Sequence, residues 1–163
     1  MTWDAWAAIG QLVSAIGVIA SLIFVGVQVR QSVRTAKATA FQSLVSSIID
    51  VNMTAIAQPK VLELIERNRR GQPKSPEEHR VYVIFVLTAA RLAQSAHYQM
   101  RLGLLNEFQL ESVMYNLVRH LNSPGGRAVW SELAPRSDPE FRQYVEALAE
   151  RLDGFDTIMT PQG

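Results

Sequence analysis

Residues Ala5–Val29 read AWAAIGQLVSAIGVIASLIFVGVQV and contain no charged side chain. A bilayer's hydrocarbon core is crossed by about 20 apolar residues rising about 1.5 Å each, so this run spans it with tilt to spare. A cleaved signal peptide calls for a basic start, a shorter apolar core and a small-residue cleavage site. Here Asp4 precedes the run, and all 16 Lys and Arg lie from Arg30 onward. A buried core helix this long and uncharged would need a larger soluble domain around it than the remaining chain provides. The run is therefore read as one transmembrane anchor, residues 1–29.

Its ends carry interface residues. Trp3 and Trp6 sit one turn apart at the start, where indole rings favour headgroup level. Arg30, Arg34 and Lys37 follow the exit, and no acid appears until Asp50. Short flanks rich in Lys and Arg stay cytoplasmic. The sequence thus predicts a single pass through the inner (cytoplasmic) membrane, with the N-terminus outside and the C-terminal domain in the cytoplasm. Each basic residue beside the surface also favours anionic lipid by about 1 kcal/mol.

Gly10, Ser14, Gly17 and Ser21 recur at spacings of four, three and four, extended by Ala7. On a helix they form one small-residue face, and such faces let helices approach closely in lipid. The expected partners are the lipid bilayer and a second copy of the chain or another membrane subunit.

No Gly or Pro interrupts Val27–Gln58, and Phe41, Leu44, Val45, Ile48, Ala55 and Ile56 recur near helical spacing. One continuous helix from about Trp3 to Gln58 is predicted, its part 30–58 a helical extension of the anchor. At about 1.5 Å per residue that extension reaches roughly 40 Å. Residues 59–154 are read as a cytoplasmic helical domain and 155–163 as a loose tail. Pro59 and Gly71 bracket a short helix, with Arg67, Arg69 and Arg70 at its C-terminal end. Ser75-Pro76-Glu77-Glu78 forms a capping box that opens a helix to about Leu102. Its segment VYVIFVLTAA is apolar all round and reads as the central buried helix of the domain. Asn106 caps a helix with Leu110, Val113, Met114, Leu117 and Leu121 on one face. Ser123-Pro124 and Ser137-Asp138-Pro139 open two more, carrying Val129, Trp130 and Leu133, then Phe141, Val145, Leu148 and Leu152; Gly154 closes the last. The fold class is all-α: a transmembrane helix, a long stalk helix and a small helical bundle.

The 163 residues are 48% hydrophobic and 19% charged, and the net charge of +1 gives no basic stripe for nucleic acid. Absence of cysteine excludes disulfides, thiolate zinc sites and cysteine nucleophiles. His79, His97 and His120 show no metal-ligand spacing, and Glu77/Glu78 and Glu107/Glu111 sit at helix starts where acids favour the dipole. No hydrolase elbow, P-loop or dinucleotide fingerprint occurs, so neither a cofactor nor an enzymatic activity is expected. One local feature has the chemistry of an anion pocket. Gly125 and Gly126 at a helix start bare their N–H groups beside Arg127. The same residues also make an ordinary tight link between helices.

The stretch SLIFVGVQVRQSVRTAKATAFQ resembles the membrane exit of a widespread group of uncharacterised bacterial proteins. The likeness rests on Ser21, Leu22, Ile23, Phe24, Gln28, Val29, Arg30, Gln31, Thr35, Ala36, Phe41 and Gln42, and on the segments YQMRLGLLNEF, PGGRAVW and PEFRQYV. It implies a membrane anchor and an all-helical domain, and brings no activity with it. Two functions follow as expectations: a structural or accessory membrane subunit that self-associates or docks on a larger assembly, or a regulatory module that binds an anion or lipid headgroup through its helical domain.

Overall fold

In the computed structural model, residues 3–72 and 75–152 are described. They form helices joined by short turns, with no strand among them. Helix α1 is Trp3–Ile56, α2 Pro59–Arg69, α3 Pro76–Arg101, α4 Glu107–Leu121, α5 Pro124–Leu133 and α6 Pro139–Leu152; a 3-10 turn, Ala134–Arg136, precedes α6. The all-α class read from the sequence holds. The side chain of Ala7, the Gly154 stop, Pro73, Lys74 and the tail 155–163 lie outside the described residues.

The chain divides into two units between Thr39 and Ala40. In the first, α1 is a bare helix, and every residue from Gly10 to Thr39 is exposed. Its most apolar window has a mean hydropathy of 2.4 with none of it buried. By length and composition this helix is able to cross a membrane.

The second unit is a helical bundle. The sequence reading ended the anchor's extension at 58, whereas the bundle takes in α1 from Ala40 onward. The reason is the apolar spacing already noted. Leu44 and Ala55 are buried, and Phe41 and Ile48 pack against the same core. The heart of that core is α4, which buries Leu110, Val113, Met114, Leu117, Val118 and Leu121. The expectation for α3 needs correcting. Tyr82, Val86, Ala90, Ala93 and Ala96 are buried, but Ile84 stays 57% and Val81 41% exposed, so this helix has an outer face. Being apolar all round, VYVIFVLTAA hid the periodicity that would have shown it.

Caps set the helix limits. The Ser75 side chain accepts from the Glu78 N–H at 3.2 Å. The Glu78 carboxylate, expected to close a capping box, instead pairs with Arg67 at 2.5 Å and ties α2 to α3. The full capping box lies at Asn106, whose side chain accepts from the Gln109 N–H at 2.8 Å while Gln109 Oε1 accepts from the Asn106 N–H at 3.0 Å. Asp138 caps α6 through the Phe141 N–H at 3.0 Å. Exposed pairs Arg101–Glu140 and Arg151–Glu111 link α3 and α4 to α6. Solvated pairs of this kind contribute little, about 0–1 kcal/mol each.

Candidate functional site

Ser123 ends α4 and starts α5, and its placement organises the centre of the bundle. Its hydroxyl donates to the His120 carbonyl at 2.6 Å, while its Oγ accepts from the Gly126 N–H at 3.2 Å. The chain turns this sharply because glycine follows. A Cβ on Gly126 would lie 1.9 Å from the His120 carbonyl oxygen, and one on Gly125 would lie 1.8 Å from that of Asn68. The two glycines therefore let α5 touch backbone on α4 and on the last turn of α2, an approach at which Cα–H groups meet carbonyl oxygens. Opposite them Gly71 adopts a φ of 70°, the left-handed conformation that ends α2.

This placement bears on the anion pocket read from the sequence. The structure brings Gly125, Gly126 and Arg127 to the start of α5 as expected. The Gly126 N–H is taken by Ser123, the Arg127 N–H by the Ser123 carbonyl, and Arg127 Nε by the Leu121 carbonyl at 3.2 Å. In the fold these residues are a close helix crossing and a cap on the C-terminal end of α4.

Next to this crossing lies a buried hydrogen-bond relay. Tyr82, fully buried on α3, has its hydroxyl 3.2 Å from His120 Nδ1 and also hydrogen-bonds the Ser123 side chain. The tautomer of His120 sets which of the two groups donates in the Tyr82–His120 bond. The Ser123 contact lowers the Tyr82 pKa, against the larger effect of burial. Burial raises the pKa of the Tyr82 hydroxyl, keeping it a donor. Burial, with Arg69 and Arg119 nearby, lowers His120 to about 4 and keeps it neutral at physiological pH.

His120 lines a pocket of about 270 Å³, open to solvent on one side, between the end of α1 and α2, α3 and α4. Its wall is divided by chemistry. Ile56, Leu62, Ile65 and Phe85 supply apolar surface; Asn52, Asn116, Glu66, Arg69 and Arg119 supply polar groups. Glu66 Oε2 accepts from Arg69 Nε at 3.2 Å and from Nη2 at 3.0 Å, so those two charges offset each other. Arg119 makes no ion pair among the described residues and leaves the wall with one surplus positive charge.

The other sequence candidates map simply. Trp3 is 91% and Trp6 59% exposed. Arg30, Arg34 and Lys37 are exposed at spacings of four and three, along one face of α1. Gly10, Ser14, Gly17 and Ser21 are likewise exposed, and a Cβ on Gly10 or Gly17 would meet nothing within 4 Å. The Ser21 hydroxyl donates to the Gly17 carbonyl at 2.9 Å, which satisfies it without a partner helix. His97 is buried between Phe141 and Tyr144, with ring centroids at 5.9 and 5.4 Å, and burial lowers its pKa. Among the described residues, no three of His, Asp and Glu gather as a metal-ligand set. The relay and the cavity were not found from the sequence, because their residues are scattered from Asn52 to Ser123. The faint signal available was a histidine on the apolar face of α4, three residues before a capping serine.

No known protein family, curated protein or solved structure matches the chain.

Proposed function

We propose that the chain is a single-pass membrane protein that serves as an accessory or structural subunit, without catalysis of its own. In this reading α1 crosses the inner membrane with its N-terminus outside, and the helical bundle lies in the cytoplasm. The observation that carries it is the uninterrupted exposure of Gly10–Val29 on α1. Soluble monomers seldom expose contiguous apolar patches beyond about 300–600 Å², so a bare helix of this length needs lipid or protein around it. The charge-free run, the Trp residues at one end and the Arg and Lys at the other agree with lipid. The resemblance to bacterial membrane proteins at Ser21–Gln42 points the same way.

Association is the second part of the reading. The small face Gly10-Ser14-Gly17-Ser21 offers a surface on which another helix packs closely in lipid, either a second copy or a subunit of a larger assembly. Native mass and cross-linking of the full chain in mild detergent test it. Wild type is expected as a complex larger than one protomer, and Gly17→Leu is expected to weaken it while insertion is retained. A protomer without partners, or a complex indifferent to Gly17→Leu, contradicts this face as the interface.

A further inference from the structure

We infer that Arg30, Arg34 and Lys37 of α1 form a binding face for the headgroups of anionic phospholipids. This deepens, and rests on, the membrane reading of α1, whose charge-free run ends at Val29. Helix α1 continues unbroken past that point, and spacings of four and three set the three cations on one face. All three are exposed, and none makes an ion pair among the described residues. No acid occurs in the sequence between Asp4 and Asp50, so no neighbour on this stretch of helix neutralises them.

Helix geometry aims these side chains at the headgroups. Each Cα–Cβ bond tilts toward the helix N-terminus, which here is the direction of the bilayer. From Arg30 to Lys37 the Cα positions rise through about 10 Å, close to the Debye length of about 8 Å at physiological salt. Their long stems fold back along the helix and bring all three charges to the level of the phosphates. There the guanidinium groups of Arg30 and Arg34, one turn apart, donate paired hydrogen bonds to phosphodiester oxygens, and Lys37 adds a point charge. Headgroup charge sets the lipid class. Choline and ethanolamine carry their own cation beside the phosphate and offset the attraction. A glycerol headgroup carries none and leaves the negative charge to the protein.

Energy transfer from a fluorophore on Ser32→Cys, an exposed position off the basic face, tests this in the full chain. The chain is reconstituted in phosphatidylcholine vesicles holding a trace of acceptor-labelled phosphatidylglycerol or of acceptor-labelled phosphatidylcholine. With the basic face intact, labelled phosphatidylglycerol should be enriched around α1 by about fivefold or more, the effect of a single basic residue at the surface. High salt should reduce that enrichment. Adding Arg30→Gln, Arg34→Gln and Lys37→Gln together should make transfer to the two lipids equal. Millimolar inorganic phosphate at constant ionic strength should change nothing, which separates a lipid face from a soluble-anion site. Equal transfer with the basic face intact, enrichment kept without the three cations, or displacement by phosphate overturns the inference. Absence of transfer to either lipid sinks the membrane reading itself, and the inference with it.

Discussion

Gly125 of α5 and Asn68 of α2 meet backbone to backbone, so that a Cβ on Gly125 would stand 1.8 Å from the Asn68 carbonyl oxygen. No rotamer relieves such a clash, since both partners are main chain. Gly125→Ala is expected to force α2 and α5 apart and to destabilise the bundle by about 1–3 kcal/mol or more. Gly17→Ala, outside the bundle and with no neighbour in the same chain within 4 Å of a Cβ, should leave the bundle's stability unchanged. Urea unfolding of the full chain in detergent, followed by circular dichroism, compares the two.

His120 makes stability depend on pH with a definite sign. Its folded value of about 4 lies below the ordinary 6.5, chiefly through desolvation, with Arg69 and Arg119 adding to it and Glu66 opposing. Above pH 6.5 both folded and unfolded chains carry it neutral, and the stabilisation is complete. As pH falls toward 4 the unfolded chain takes up a proton that the folded chain refuses, so stability drops. At about 1.36 kcal/mol per pH unit the loss is of order 3 kcal/mol, levelling off below pH 4. His97, lowered by burial and by Arg101, acts in the same direction. Unfolding free energies measured at intervals from pH 7.5 to 4 check this, and a flat profile would contradict it.

Tyr82 and His120 meet in a buried hydrogen bond of 3.2 Å between α3 and α4. Tyr82→Phe removes the hydroxyl and leaves His120 Nδ1 without that partner, costing about 1–3 kcal/mol in thermal or urea unfolding.

Arg127 caps the end of α4 through the Leu121 carbonyl at 3.2 Å. Arg127→Ala should lower bundle stability by about 1 kcal/mol, the usual net worth of such a bond. The same loss with and without millimolar phosphate is expected. Phosphate-dependent stabilisation of wild type, absent in the variant, would instead support the anion role read from the sequence.

Much of the fold is legible in the residues because its signals are local. Pro59, Ser75-Pro76, Asn106 and Pro139 mark helix starts, and Leu110, Val113, Met114, Leu117 and Leu121 mark the inner face of α4. Two readings went astray where local signals run out. VYVIFVLTAA lacks a polar face, so its outer residues Val81 and Ile84 could not be told from its inner ones. The boundary at Ala40 depends on which apolar residues of α1 find bundle partners, and periodicity alone does not say that. The glycines Gly125 and Gly126 illustrate a third limit. Their freedom is visible in the sequence, but whether it admits a ligand or a neighbouring backbone is decided by Asn68 and His120, and the former lies far away in the chain. The cavity beside His120 is built from four helices and has no contiguous signature at all.

Whether α1 lies in lipid is directly measurable, because the chain contains no cysteine. Single replacements Ile19→Cys and Gln58→Cys are labelled with a membrane-impermeant maleimide in intact cells, in inverted membrane vesicles and after detergent lysis. Ile19→Cys is predicted to stay unlabelled until detergent is added, and Gln58→Cys to react in inverted vesicles but not in intact cells. Labelling of Ile19→Cys in the absence of detergent would contradict the membrane anchor, and labelling of Gln58→Cys from outside the cell would contradict its orientation.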